Sequence, residues 1–306
     1  MDDENQSRKD SPLVIGYISA ITGALLFGSV STVAKPIVSS INPLMLACLV
    51  YLISGLAITL VVKPIKNPMN RKDYSFLLII SISGAVVAPT MFFFGLKLTT
   101  AADSSLLSNG EIIFSIILAL TLFGEKLNRV GYIAMVLILT GVIIVSTNLQ
   151  FDRSLTKMNV GNLLIIGATL FWGLDNNISR ILSHRIDITR IIQFKSFIGG
   201  FILLALGLLL GIPLNINLTQ IPYILLLGIV GFAASLYFFL QGLSKIGTTN
   251  TTLILSLSSV FGIVLAMIFL HEQISTFQII AAGIMLLGIY LINRNSIRSA
   301  KITVQS

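Results

Sequence analysis

The feature that most constrains this chain is the recurrence of apolar runs of about twenty residues, separated by short polar breaks. A helix of that length crosses the hydrocarbon core of a bilayer, and the runs are too long for strands of a soluble core. Ten segments fit. The first five are Val14–Ala34, Pro43–Val62, Tyr74–Leu96, Ala101–Phe123 and Val130–Thr147. The second five are Val160–Leu182, Ile188–Leu210, Ile221–Leu243, Thr248–Leu270 and Phe277–Ile292. Stop signals fall between them at Pro36, Asn42-Pro43, Lys63-Pro64, Asn67-Pro68 and Ile212-Pro213. Composition agrees: 55% of the 306 residues are hydrophobic and 10% charged, against roughly 25% charged in soluble domains. The expected fold is an all-α polytopic membrane protein with ten transmembrane helices.

The polar remainder divides the chain. Residues 1–12 read as a disordered cytoplasmic tail, 13–147 and 160–293 as two five-span units, 148–159 as a linker and 294–306 as a second cytoplasmic tail. The net charge of +8 does not mark a nucleic-acid binder, because the basic residues are spread over short connectors rather than gathered in one patch. Those connectors set orientation instead. With the N-terminus inside, fifteen Lys and Arg fall on the cytoplasmic side, and four, Lys35, Lys97, Arg153 and Lys157, on the other. Both termini are then cytoplasmic, and the cell membrane is the expected location. The one cysteine, Cys48, leaves no disulfide framework or thiolate cluster and reads as a small buried hydrophobe. His184 and His271 lie near helix ends and read as interfacial polar residues rather than metal ligands. No cofactor is expected.

The two units repeat each other. Gly23-Ala24-Leu25-Leu26-Phe27-Gly28 returns as Gly167 to Gly173 with one residue inserted; beyond it Lys35 aligns with Arg180, and Asn42 with Asp187. Later, one constant offset aligns Gly95 with Gly242, Asp103 with Asn250, Phe114 with Phe261, Glu125 with Glu272 and Gly141 with Gly288. Five is odd, so the second unit enters the membrane from the opposite side. The expected architecture is two inverted five-helix repeats, with the substrate held near the midplane between them.

Each half resembles an EamA domain of the drug/metabolite transporter superfamily. The features that carry this are Phe27-Gly28 and Trp172-Gly173 in the first helix, each followed seven residues after its glycine by a base, Lys35 or Arg180. A basic residue in the next helix is matched by Lys195, where the first half has Val50. Gly124-Glu125 and, less closely, His271-Glu272 match the Gly-Glu ending of the fourth helix, and Gly141 and Gly288 match the late glycine of the fifth. The resemblance covers Val14 to Ile292. It implies a central cavity lined mainly by the first, third and fourth helices of each half, and transport or export of metabolites. The family's frequent acidic-proline pair has no proline here, at Glu111-Ile112 or Ser258-Ser259, which leaves a proline-dependent kink without its residue.

Buried charge is costly in a bilayer, at least about 2.5–3.5 kcal/mol at its centre, so it usually faces a cavity or a partner. Glu111, near the middle of the fourth span, forms one helical stripe with Ser104, Ser108 and Ser115. It reads as a proton or cation site on a cavity wall; the alternative is a protonated carboxyl bonded between helices. Trp172, Asp175, Asn176 and Ser179 share a face of the sixth span, suited to substrate recognition or to an Asp175–Lys195 ion pair that gates access. Thr252, Ser256 and Ser259 in the ninth span, and Tyr237 and Gln241 in the eighth, are further lining candidates; the hydroxyls also suit helix contact. Lys35, Arg180, Glu125 and Glu272 read as interfacial anchors.

These residues point to a secondary-active exporter of small metabolites working by alternating access, with protons as coupling ion through Glu111. The nearest alternative is an uncoupled solute facilitator. An intramembrane lipid-acting enzyme would need a nucleophile–base set or metal ligands, and the sequence offers neither Gly-x-Ser-x-Gly nor histidines close to the membrane acids. A non-transporting scaffold would need a tightly packed midplane. Without a Walker pattern the chain is not expected to pump by ATP hydrolysis.

Overall fold

The computed structural model describes the backbone at residues 2–62, 69–122, 129–147, 159–183 and 185–305, and most side chains between 13 and 291. Lys63, Lys66, Glu125, Lys126, His184 and the expected linker except Asn159 lie outside the described residues, as do the side chains of Arg180, Asn250 and Thr252.

Among the described residues the chain is helical, with no strand. The first half comprises α1 (Asp2–Ala34), α2 (Pro43–Thr59), α3 (Arg71–Ile80), a π-helical segment (Ser81–Val87), α4 (Ala88–Leu98), α5 (Ala101–Leu107), α6 (Gly110–Leu122) and α7 (Arg129–Thr147). The second comprises α8 (Val160–Ser183), α9 (Ile188–Leu209), α10 (Ile221–Leu225), a π-helical segment (Leu226–Ala234), α11 (Ser235–Leu255), α12 (Ser258–Leu270) and α13 (Thr276–Gln305). Among the described residues six helices are long and apolar enough to cross a membrane, and Pro43–Thr59, Ser258–Leu270 and Thr276–Leu291 are shorter apolar helices. This is an integral membrane protein.

Local chemistry sets the helix ends. Asn42 and Asp187, aligned in the repeat, both cap the second helix of their half: Asn42 accepts from Leu44 N at 3.0 Å and Asp187 from Thr189 N at 3.0 Å. Asn70 and Asp73 form a capping box at α3. Gly211, at φ 63°, closes α9 in the left-handed conformation that glycine adopts without steric cost.

Two expectations are corrected. The fourth and ninth spans are not single helices; each breaks within one residue of the same repeat position, at Ser108–Asn109 and at Ser256–Leu257. Proline plays no part. Ser108 Oγ donates to Ser104 O at 2.8 Å and Ser259 Oγ to Ser256 O at 3.0 Å, and serine hydroxyls of this kind compete for helix carbonyls. Second, the expected connector before Thr248 is helical, so α11 runs from the eighth span into the ninth; a lone Gly247 costs a helix only about 1 kcal/mol. The backbone of α1 and α13 is helical through the stretches assigned to the tails, whose Asp, Glu, Gln, Lys and Arg are compatible with a helix once the apolar span has nucleated it.

The packing joins the halves in matched pairs. α1 packs on α11 and α12, as α8 packs on α4 and α6; α2 packs on α9, and α7 on α13. Exchanging the halves maps this set onto itself. One apolar core runs through both halves, including Val30, Leu46, Phe93, Ile165, Trp172 and Met285.

Candidate functional site

The polar face of α8 meets the first half at the π-segment of the third span. A π-turn leaves backbone groups outside the regular i→i−4 ladder, and here the Gly84 carbonyl accepts two side-chain donors: Tyr51 Oη at 2.8 Å and Trp172 Nε1 at 3.2 Å. Asp175 packs directly on the same glycine. A Cβ at residue 84 would lie 2.3 Å from Asp175 Oδ2, so only glycine lets α8 come this close. Asp175 is buried, with Oδ2 2.5 Å from Lys195 Nζ and Oδ1 accepting from Ser179 Oγ at 3.0 Å. Asp175 is buried and the Lys195 side chain is only 14% exposed, which makes removal of one partner costly.

Glu111 stands in the first turn of α6, just after the helix break, where the helix N-terminus favours a negative group. Its Oε1 accepts from Asn176 Nδ2 at 2.5 Å. Glu111, Asn176, Asp175 and Lys195 thus form one cluster between α6, α8 and α9.

A small chamber lies between the halves, lined among others by Phe27, Phe92, Trp172 and Phe232 and by Ser108 and Ser259. It offers about 20 Å³ for the centres of water-sized molecules, where one water needs about 10–15 Å³ on the same measure. The space is therefore narrow, with room for about one water. Trp172 links chamber and cluster: its ring lines the chamber against Phe92, centroids 5.3 Å apart, while its N–H holds the glycine on which Asp175 rests.

Among the predicted site residues, Ser108, Trp172 and Ser259 line the chamber, while Glu111, Asp175, Asn176 and Lys195 gather beside it. Two do not join them. Tyr237 is over a third exposed and packs its ring on Phe238, and Ser256 is buried at the α11–α12 break. Gln241 accepts from Ser19 Oγ at 2.8 Å. The expected stripe through Ser104 and Ser115 is interrupted by the break at Ser108: Ser104 Oγ receives a bond from Ser31 Oγ at 3.2 Å, and Ser115 Oγ is buried without a partner.

Sequence reasoning missed Tyr51, Gly84, Ser258 and Asn109, which donates to Ser259 Oγ at 3.0 Å. Only Gly84 left a signal, because the repeat offset places it opposite Gly231. A second polar cluster was also missed, at the end of the bundle beyond α1. Glu272, read as an interfacial anchor, instead accepts from Ala101 N at 2.8 Å and Ala102 N at 2.9 Å, capping α5 across the halves. Lys35 donates to Leu96 O at 2.8 Å and to Thr99 O. Burial lowers the Lys35 ammonium below the ordinary lysine range, and the Glu272 carboxylate opposes that shift. Two more bonds cross the halves here: Gln278 Nε2 to Asp103 Oδ1 at 2.6 Å, and Thr99 Oγ1 to Asn162 Oδ1 at 2.5 Å.

Comparison with known proteins gives the same outline. The EamA-like transporter family matches twice, over residues 14–147 and 159–294. An uncharacterized transporter of Methanothermobacter thermautotrophicus is 33% identical over 296 residues, covering 92% of this chain and 86% of that protein. The uncharacterized transporter YetK of Bacillus subtilis is 22% identical over 282 residues, covering 90% and 86%. A protein of known crystal structure superposes with a TM-score of 0.65 at 18% identity, covering 94% of this chain and 98% of that one.

Proposed function

This chain belongs to the EamA-like transporter family of the drug/metabolite transporter superfamily, and from that premise we propose that it is a secondary transporter that exports a small metabolite by alternating access, with protons as the coupling ion. The observation that carries the reading is the cluster of Glu111, Asn176, Asp175 and Lys195 beside a chamber at the meeting of two exchangeable halves. Glu111 is bonded through a neutral amide and can gain or lose a proton without breaking the neighbouring ion pair. The Asp175–Lys195 pair serves as recognition site or gate, since a solute that separates the two must supply counter-charges of its own. In the alternating cycle each half takes up the other's conformation, with the N- and C-termini cytoplasmic and the protein in the cell membrane. The family and its relatives are transporters by name, in keeping with a carrier rather than an enzyme.

Trp172 is the chain's one tryptophan and lines the chamber, so its fluorescence reports on this site alone. Titrating amino acids, nucleosides, sugars and amphipathic drugs against it identifies the solute. Flux of that solute in reconstituted vesicles should follow an imposed pH gradient and lose that dependence in Glu111→Gln. Flux indifferent to both would remove the coupling and leave an uncoupled facilitator.

A further inference from the structure

We infer that Asp103 is a second proton site of this carrier, which holds its proton while the two halves are bonded together at its end of the bundle and gives it up as those bonds part. The inference rests on the proton-coupled reading and adds to it a site that precedes the chamber-lining Ser105 and Ser108, where Glu111 follows them.

Asp103 is a buried acid without a cation. Its partners are neutral: Gln278 Nε2 on Oδ1 at 2.6 Å, the Thr99 hydroxyl 3.4 Å from Oδ2, and the Thr100 hydroxyl beside the carboxyl. The other buried aspartates among the described residues are paired, Asp175 with Lys195 and Asp73 with Arg185. Nor does the start of α5 call for a charge on Asp103. The N–H groups of Ala101 and Ala102 already donate to Glu272, and that of Asp103 donates to Thr100 Oγ1 at 3.0 Å. The charged groups facing this place, among the described residues, are Glu272 and Lys35; Lys97 and His271 are exposed. Lys35 donates to the Leu96 and Thr99 carbonyls and answers the charge of Glu272. One anion thus meets one cation, and a second anion would stand uncompensated.

Counting hydrogens places the proton. Gln278 Oε1 accepts from Ser275 N at 2.7 Å, which fixes Gln278 Nε2 as the donor to Asp103 Oδ1. Asn162 Nδ2 donates to the Val145 carbonyl at 3.5 Å, which turns Asn162 Oδ1 towards Thr99. That oxygen carries no hydrogen, so its 2.5 Å contact with Thr99 Oγ1 takes up the one hydroxyl proton of Thr99. The same hydroxyl then has only lone pairs to offer Asp103 Oδ2. An ionised carboxylate would face them with its own; a protonated one donates to them. The neutral acid completes a chain from Asp103 through Thr99 to Asn162, which joins the first half to α8, while Gln278 joins it to α13. Loss of the proton undoes the chain. Asp103 then draws the Thr99 proton to itself and Asn162 Oδ1 loses its donor. The buried charge, without a cation, is relieved by water, which enters as this end opens.

The test needs no substrate. Trp172 and Ser105, two residues past Asp103, line the same chamber, so quenching of Trp172 fluorescence by acrylamide reads the opening. It is measured in detergent from about pH 5 to about pH 9, spanning ordinary and strongly perturbed carboxyls. The two proteins compared are Glu111→Gln, which silences the other intramembrane acid, and Glu111→Gln with Asp103→Asn. Asparagine reproduces the neutral acid, because its Oδ1 can accept from Gln278 while its Nδ2 donates to Thr99. One linked proton moves the ratio of joined to open forms by up to about tenfold per pH unit. Quenching in Glu111→Gln should therefore climb with pH, and the double variant should keep the acid-side value throughout. Equal climbs in both proteins, or no climb in Glu111→Gln, overturn the Asp103 site. Should Glu111→Gln not fold, the parent and Asp103→Asn are compared by melting temperature. Asp103→Asn should melt at or above the parent at the alkaline end; a lower melting temperature at every pH means that the fold holds the ionised acid, which also overturns the site. None of these results touches the pH-driven flux of the parent, on which the coupled-transport reading stands or falls separately.

Discussion

The two halves share a skeleton but not a chemistry. Gly84 and Gly231 occupy the same place in their π-segments, and each receives the same residue of the opposing first helix: Asp175 on Gly84, Val30 on Gly231. The repeat sets Lys195 opposite Val50, Trp172 opposite Phe27 and Tyr51 opposite Ser196. One crossing is therefore a buried ion pair with two donors on a glycine carbonyl; its mirror is apolar, with Val30 and Val50 both buried. Small residues fix how closely the helices approach, and that geometry repeats. The charged groups are needed once, so one crossing keeps them and the other closes on methyl groups.

The sharpest way to break this comparison is to make the crossings alike. Asp175→Ala or Lys195→Ala alone strands a buried charge and should destabilise the protein by about 3–5 kcal/mol, read from thermal unfolding in detergent. Asp175→Val with Lys195→Val rebuilds the first crossing in place of the second; it should unfold near the parent temperature yet carry no flux. A double variant as unstable as the singles would show that the crossings are not interchangeable in packing.

Next in size is the contrast between the glycines. Gly84→Ala drives a methyl into the Asp175 carboxylate and should cost about 1–3 kcal/mol and impair transport. Gly231→Ala meets only a Val30 methyl at 3.0 Å, which can shift, and should cost less. Equal losses in melting temperature would remove the distinction. Tyr51→Phe takes one of two donors from the Gly84 carbonyl, while Trp172 remains; its cost should be about 0.5–1.5 kcal/mol. The smallest effect tests the helix ending. His271→Gly gives the second half the glycine of Gly124 and removes a left-handed strain of about 1–2 kcal/mol, against about 0.4–1 kcal/mol of added freedom in the unfolded chain. A small rise in melting temperature is expected, and a fall would mean that the His271 side chain has a role of its own.

Much of this was legible in one sequence because a bilayer imposes simple demands. Apolar run length showed a helical membrane protein, and helix caps such as Asn42 and Asp187 stood at matched repeat positions. Asp175 and Lys195 were recognisable as partners because each needs compensation inside the membrane. Tyr51 escaped notice because an aromatic in an apolar run looks like core until its hydroxyl finds an acceptor. Tyr237 shows the converse, since a polar aromatic in a span can also face outward. The breaks at Ser108 and Ser256 were missed because no proline marks them.

The sequence alone determined the helical, lipid-embedded class, the twofold repeat and the identity of the costly buried charges, since hydrophobic length and desolvation act residue by residue. Tertiary structure decided what those residues do. Whether Glu272 rests in the headgroups or caps α5, and whether a π-turn frees the Gly84 carbonyl for Tyr51 and Trp172, depends on which backbone groups a neighbouring helix leaves unbonded. That is a property of two segments brought together, and no single stretch of chain contains it.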